Sequence, residues 1–230
     1  MPKLAIIIPT LNEENAIDTC IDSIGAHTDV EVVVSDGGST DGTIQRAVAR
    51  GTTVVEGPVG RGGQLNRGAA AATTELLLFL HADCRLPRGW HDALTHVLAD
   101  PTVSLACFWL RTELPGQQVS SAVSGLWMRT LDLRARGGRL PYGDQGFGVR
   151  REVFDRIGGF PDIPLMEDLV FARGCRRVGR ICRVPLEIRT EARRTARYPV
   201  RARLMMLTFP SLFSLGVSPV TLARWYGSAR

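Results

Sequence analysis

Four short strand-like runs, at Leu4–Ile8, Glu31–Val34, Thr52–Glu56 and Leu76–Leu80, alternate with stretches of helical spacing, and this alternation constrains the fold more than any other feature. In the first gap, Glu13–His27 places Ile17, Ile21 and Ile24 on one helical face, with Asn12 positioned to cap. Thr43–Arg50 fills the second gap and the alanine-rich Gln64–Ala72 the third. Short strands separated by helices predict β-α-β units, hence an α/β fold with a mostly parallel sheet, right-handed crossovers and flanking helices. Ligands of such sheets bind outside the carboxyl ends of the strands. Asp36 follows Val32-Val33-Val34, and Asp83 follows the run ending at Leu80, so both acids are expected at such ends.

Beyond residue 100 the alternation loosens. Ser104–Arg111 reads as a strand, Ser120–Arg134 as a helix, and Arg139–Arg150 as a glycine-rich loop feeding a short strand. Arg151–Ile157 and Leu165–Arg177 read as helices and Arg180–Ile188 as extended chain. Pro199–Leu215 and Ser218–Tyr226 read as amphipathic helices of a basic tail. From Phe171 onward 13 arginines face two acids, a charge of +11, while the first 170 residues carry −6. Such a lobe is either a solvated arginine-rich surface or a contact for a polyanion such as anionic lipid or a nucleotide. Nucleic acid is disfavoured, because no helix-turn-helix, finger or aromatic RNA-binding pattern accompanies the charge.

With 44% apolar and 22% charged residues the chain has the balance of a soluble globular protein. No stretch approaches the ~20 apolar residues of a membrane span, and Met1–Pro9 lacks the features of a secretory signal. The five cysteines are scattered and odd in number, which fits reduced thiols and a cytoplasmic location.

Several side chains need a chemical reason. A carboxylate at Asp83, where a buried strand surfaces, costs several kcal/mol unless an arginine, a helix N-terminus or a metal ion pairs with it. The Gly57–Gly63 loop lacks a P-loop lysine, since Gln64 stands in its place, and the third small residue of a dinucleotide fingerprint falls on Leu65. What remains is Arg61 on a loop at a helix N-terminus, a candidate diphosphate contact. Capping accounts for Asp41 but not for Asp36. His91 and His96, five apart, miss a common helix face and read as surface residues, and Cys84 reads as a small apolar filler.

The segments IIIPTLNEE, VVVSDGGSTDGT, GRGGQLNRGA, LLFLHAD, PYGDQG and GGFPDIPLMEDLVFARGCRRVGR occur in this order. Together they resemble family 2 glycosyltransferases of the GT-A fold over roughly residues 3–190, most closely a bacterial branch associated with radical-SAM/selenium-domain genes and named for arsenosugar biosynthesis. The resemblance implies a GT-A domain over residues 1–190, with a nucleotide-binding half to about residue 100 and an acceptor half after it, followed by the 191–230 tail. Pro9, Thr10, Leu11 and Glu13 would line base and ribose, and Asp36 would accept the uracil ring N–H of a UDP-sugar. Arg61, Gln64, His81, Ala82 and Asp83 would complete the donor site. His81-Ala82-Asp83 corresponds to the family's D-x-D motif, with His81 replacing the first aspartate and Asp83 holding Mn²⁺ or Mg²⁺. Asp168, with Glu167 beside it, matches the general base of an inverting transfer, and Asp144 and Gln145 match the acceptor loop. Arg193-Arg194 and Tyr198 stand where processive relatives carry Q-x-x-R-W, so polymer synthesis is not expected. A sugar nucleotidyltransferase is the alternative, although the acidic 9–14 segment lacks the basic loop it needs; a non-catalytic protein held at membranes by the basic lobe is another.

Overall fold

The computed structural model describes residues 3–113, 140–191 and 199–227. The helix expected over Ser120–Arg134 and the segment with Arg193, Arg194 and Tyr198 lie outside the described residues.

The first half is built as the alternation predicts. Strands β1 (Leu4–Thr10), β2 (Val30–Asp36), β3 (Thr53–Glu56) and β4 (Leu76–Phe79) pair in parallel, in the order β3-β2-β1-β4. Helices α1 (Ile17–Ile24), α2 (Thr43–Ala49) and α3 (Arg61–Ala71) connect them. The continuous apolar runs are explained by burial on both sides. Ile6 and Ile8 join Ile17, Cys20 and Ile24 of α1 on one face; Ala5 and Ile7 join Leu65 and Ala69 of α3 on the other. Each such fully buried aliphatic side chain contributes about 1.5–3 kcal/mol.

Past β4 come the two-residue strand β5 (Cys84–Arg85), helix α4 (Trp90–Leu98) and the long strand β6 (Val103–Glu113). A 3₁₀ turn at Gly143–Gln145 leads into β7 (Phe147–Arg150), then α5 (Arg151–Ile157), α6 (Glu167–Val178) and β8 (Arg180–Glu191). The full sheet runs β3-β2-β1-β4-β7-β6-β8-β5. β7 lies antiparallel to both β4 and β6, while β6 and β8 are parallel. Because Phe147 at the start of β7 pairs with Phe79 at the end of β4, the 140–146 loop sits on the same rim as the segment after β4. Helices α3 and α6 both start on that rim.

Two local expectations change. Asn12 does not cap α1, which starts at Ile17; its side-chain oxygen instead accepts the Thr40 N–H at 2.9 Å. Arg61 is not on a loop, because α3 begins at Arg61 itself after Gly60, whose φ of 152° only glycine tolerates well. The tail forms α7 (Pro199–Ser214) and α8 (Pro219–Tyr226), in which Phe209 and Leu222 are buried, and Arg173 of α6 bonds Ser214 and lies over Phe213. Leu204, Leu207, Leu215, Val220 and Trp225 of this tail are exposed. Among the described residues no helix is long and apolar enough to cross a membrane, and all five cysteines are free.

Candidate active site

The site is assembled from two loops at the ends of β1 and β2, two helix starts and the segment after β4. Asp36 ends β2 opposite Thr10 and is fully buried. Its Oδ1 accepts the N–H groups of Gly38 (2.8 Å) and Ser39 (2.7 Å), and its Oδ2 accepts the hydroxyls of Thr10 (2.8 Å) and Ser39 (2.6 Å). Burial pushes the Asp36 carboxyl up, but the bonds from Ser39, Thr10 and Gly38 outweigh it and hold it below the usual carboxylate range. All four lone-pair positions of the carboxylate are thereby filled from within the chain. The turn it fixes is zipped to the loop after β1. Asn12 N–H donates to Ser39, Glu13 N–H to Thr43, Glu14 N–H to Asp41, and Gly42 N–H to Glu14. Asp41 also receives the N–H and hydroxyl of Thr43, the first residue of α2, from one position before its N-cap Gly42.

Gln64 is buried behind this rim. Its amide donates to the carbonyls of Thr10 (2.8 Å) and Ser35 (3.0 Å), tying the ends of β1 and β2 to α3. Pro9, Leu11 and Glu13 are partly exposed along the loop, while Thr10 and Ala82 are buried.

Arg61, His81, Glu167 and Asp168 line one cleft, floored by Phe79, Phe147 and Phe160 and closed on one side by Gly143. Arg61 Nη1 stands 3.3 Å from Glu167 Oε1. The Glu167 side chain is only 3% exposed, against 37% for Arg61, so this acid anchors the guanidinium and leaves its outer edge toward solvent. Desolvation pulls the Arg61 pKa down, but Glu167, Asp168, Tyr226 and Asp83 together more than offset it, and the group stays charged. Asp168 is half-buried. Its Oδ2 accepts the Gly143 N–H at 2.9 Å and its Oδ1 that of Leu169 at 2.7 Å, which fixes the carboxylate orientation. A Cβ added at Gly143 would lie 3.0 Å from His81 Nε2 and 3.5 Å from Asp168 Cβ, so glycine lets these two elements close on each other.

Cys84 lies between the Asp83 side chain and the Asp144 backbone. The buried thiol lies 3.8 Å from Asp83 Oδ1 and 3.6 Å from the Asp144 carbonyl; burial first, then the neighbouring Asp83, Cys20 and Asp144, push it well up. A carboxylate oxygen is a hard donor that suits Mn²⁺ or Mg²⁺ better than softer metals, and Asp83 offers one on this rim. Gln145 is fully buried, its amide donating to the Phe108 carbonyl and accepting the Tyr142 N–H; it braces the 143–145 turn from behind.

Three supports were not singled out from the sequence. Asn66 of α3 grips both the carbonyl and the N–H of Phe160 at 2.8 Å. Gly62 packs so closely on the Pro161 carbonyl that a Cβ would sit 2.3 Å from its oxygen. Met166, immediately before Glu167, adopts φ 71°, a strained backbone for a non-glycine residue that sets the direction of the first turn of α6. The only signal for the first two was their place inside GRGGQLNRGA.

The family model described as Glycosyl transferase family 2 matches residues 5–158. The chain belongs to this family. Within family 2 it is 39% identical over 92 residues to glucosyl-3-phosphoglycerate synthase of Mycobacterium tuberculosis (strain CDC 1551 / Oshkosh), a match covering 35% of this chain and 28% of that protein. The chain thus spans well under half the length of the curated relatives it matches. The family 2 fold aligns with the mannosyltransferase PcManGT from Pyrobaculum calidifontis in complex with GDP-Man and Mn²⁺, at a TM-score of 0.69 and 22% identity over 99% of this chain and 70% of that one. It also aligns with the M. tuberculosis glucosyl-3-phosphoglycerate synthase in complex with phosphoglyceric acid, at a TM-score of 0.57 and 26% identity over 81% of this chain and 70% of that chain. The architecture is the GT-A fold, a central sheet flanked by helices.

Proposed function

We propose that this family 2 chain is an inverting glycosyltransferase that moves a sugar from a nucleotide-sugar to an acceptor hydroxyl. The observation that carries the reading is the convergence of Arg61, His81, Glu167 and Asp168 in one cleft at the carboxyl rim of the sheet. Asp168 takes the proton of the acceptor hydroxyl. The freed oxygen forms a bond to the anomeric carbon as the bond from that carbon to the diphosphate breaks, its electron pair leaving with the diphosphate. Arg61, kept charged and aimed by Glu167, stabilises the negative charge that grows on the leaving group. A divalent ion held by Asp83, with Asp144 and His81 nearby, would neutralise part of the diphosphate charge. Glu13, Pro9, Thr10 and Leu11 flank the nucleoside, and the turn built on Asp36 shapes its pocket. For Asp36 to accept a uracil N–H directly, Ser39 or Thr10 must first release an oxygen.

UDP is the proposed donor base, and the radical-SAM-associated branch the proposed kin; both rest on the six sequence segments. The +11 C-terminal lobe and the exposed apolar residues of α7 and α8 support a second role for the tail, contact with an anionic membrane surface. The decisive experiment is a thermal-shift panel of UDP- and GDP-sugars with and without Mn²⁺. Stabilisation of several degrees by a UDP-sugar only with the metal is expected. No response to any nucleotide-sugar, with pyrophosphate released from a nucleoside triphosphate and a sugar phosphate, would instead identify a nucleotidyltransferase.

A further inference from the structure

The chain has two chemically distinct ends, and the end away from the cleft carries its own cluster of ligand-bearing side chains. Among the described residues, the group of three His, Cys, Asp or Glu whose ligand atoms all lie within 4.8 Å of one another is His27, Asp29 and His91. Asp29 stands just before β2, and Asp36 ends that strand. Seven residues at about 3.3 Å each put this cluster about 23 Å from the donor rim.

His91 reads as a surface residue from its spacing, yet its side chain is only 15% exposed, with a carboxylate at each ring nitrogen. Nε2 lies 3.4 Å from Asp29 Oδ2, and Nδ1 lies 3.3 Å from Asp92 Oδ1. Nε2 is buried and makes no hydrogen bond. A neutral imidazole carries a single N–H, so whichever nitrogen bears it, the other points a lone pair at a carboxylate. That arrangement calls for a cation between the two acceptors. A second proton on the ring is one answer, but it makes no use of His27, whose ring stacks on that of His91 at 4.8 Å and 24°. A metal ion uses all three groups. Asp92 then holds the Nδ1 proton and leaves Nε2 free to ligate, the usual arrangement behind a metal-bound imidazole.

We propose that His27, Asp29 and His91 bind one Zn²⁺ ion as a clamp between the α1–β2 connection and α4. Two imidazoles and one carboxylate are borderline ligands that suit zinc and not the hard ions expected at the donor rim. Zinc bonds of about 2.0–2.2 Å place tetrahedral ligand atoms about 3.3 Å apart, close to the 3.4 Å already separating Asp29 from His91. His27 is exposed and needs only a side-chain rotation to complete the set, with water in the fourth position. The backbone beneath is fixed: the Asp29 carbonyl accepts from Lys3 and Leu4 N–H, and the Trp90 indole N–H donates to the Ile24 carbonyl at 3.0 Å.

The test is a Zn²⁺ titration of the full chain without nucleotide, read by calorimetry and by the ring-nitrogen NMR resonances of its four histidines. One equivalent should bind and shift His27 and His91, leaving His81 and His96 in place. His27→Gln and His91→Gln should each weaken that binding at least tenfold. His27 is exposed, so its variant folds whatever becomes of His91→Gln, and the test stands on it alone. Shifts at neither or only one of His27 and His91, a shift at His81 in their place, or an unchanged isotherm in His27→Gln overturns the site.

Discussion

Replacing Asp36 by Asn separates the two jobs a buried rim carboxylate can have, building the turn or meeting the ligand. The carboxylate receives two backbone N–H groups on Oδ1 and two hydroxyls on Oδ2, at 2.6–2.8 Å. In the variant the amide oxygen keeps the backbone donors, while its NH₂ faces the Thr10 and Ser39 hydroxyls, which must turn round to accept. A hydrogen bond to a charged group contributes about 1.5–3 kcal/mol and a neutral one about 0.5–1.5 kcal/mol, so four downgraded bonds, two of them reversed, cost about 4–6 kcal/mol together. For a chain of this length that lowers Tm by about 8–24 °C. The measurement is a calorimetric or circular-dichroism melt without nucleotide, repeated from pH 7 down to pH 3. The native carboxyl lies below its ordinary range, so its contribution is complete above the unfolded pKa of about 4 and disappears as pH falls through the lower native value. The gap between the two proteins should therefore be full at neutral pH and close in acid. A gap under about 1 °C at pH 7, accompanied by loss of nucleotide binding, would refute the argument. It would mean that the turn stands without the charge and that the carboxylate belongs to the ligand.

Asp168→Asn should leave UDP-sugar binding within about twofold but lower turnover by about 10²–10⁴, the range for removing a general base; near-normal transfer of labelled sugar would eliminate Asp168 from that role. Glu167→Gln should weaken diphosphate binding in calorimetry and cost about 1–2 kcal/mol of stability, less than for a fully buried pair because Arg61 reaches solvent. Gly62→Ala should lower Tm by several degrees, because its Cβ meets the Pro161 carbonyl, and should depress turnover more than donor binding by moving the start of α6; wild-type kinetics would show that α3 and the 158–166 segment are not rigidly coupled.

The local chemistry of this fold was legible in the chain. β1 to β4 appear in the sequence because apolar residues buried on both faces make unbroken runs, and α5 falls on Arg151–Ile157 as its pattern indicates. The reversed insertion of β7 and the pairing of β5 with β8 were not legible, since those choices depend on contacts between residues far apart in the chain. The same holds inside the site. Residue type and motif position marked Arg61, Asp83 and Asp168, but Gln64 and Gln145 look like ligand contacts in the sequence and are buried braces in the fold.

By itself the sequence determined the α/β class, where its first strands end, and which acids and arginine stand near those ends, because periodicity and residue type are local properties. Only tertiary structure decided which of them meet. Arg61 finds Glu167 across 106 residues, Asp36 turns its four acceptor positions inward, and His91 comes to rest against Asp29 and His27. The physical reason is that burial and pairing are settled by which surfaces the folded layers bring into contact, and a carboxylate or imidazole takes its role from the partner it meets there.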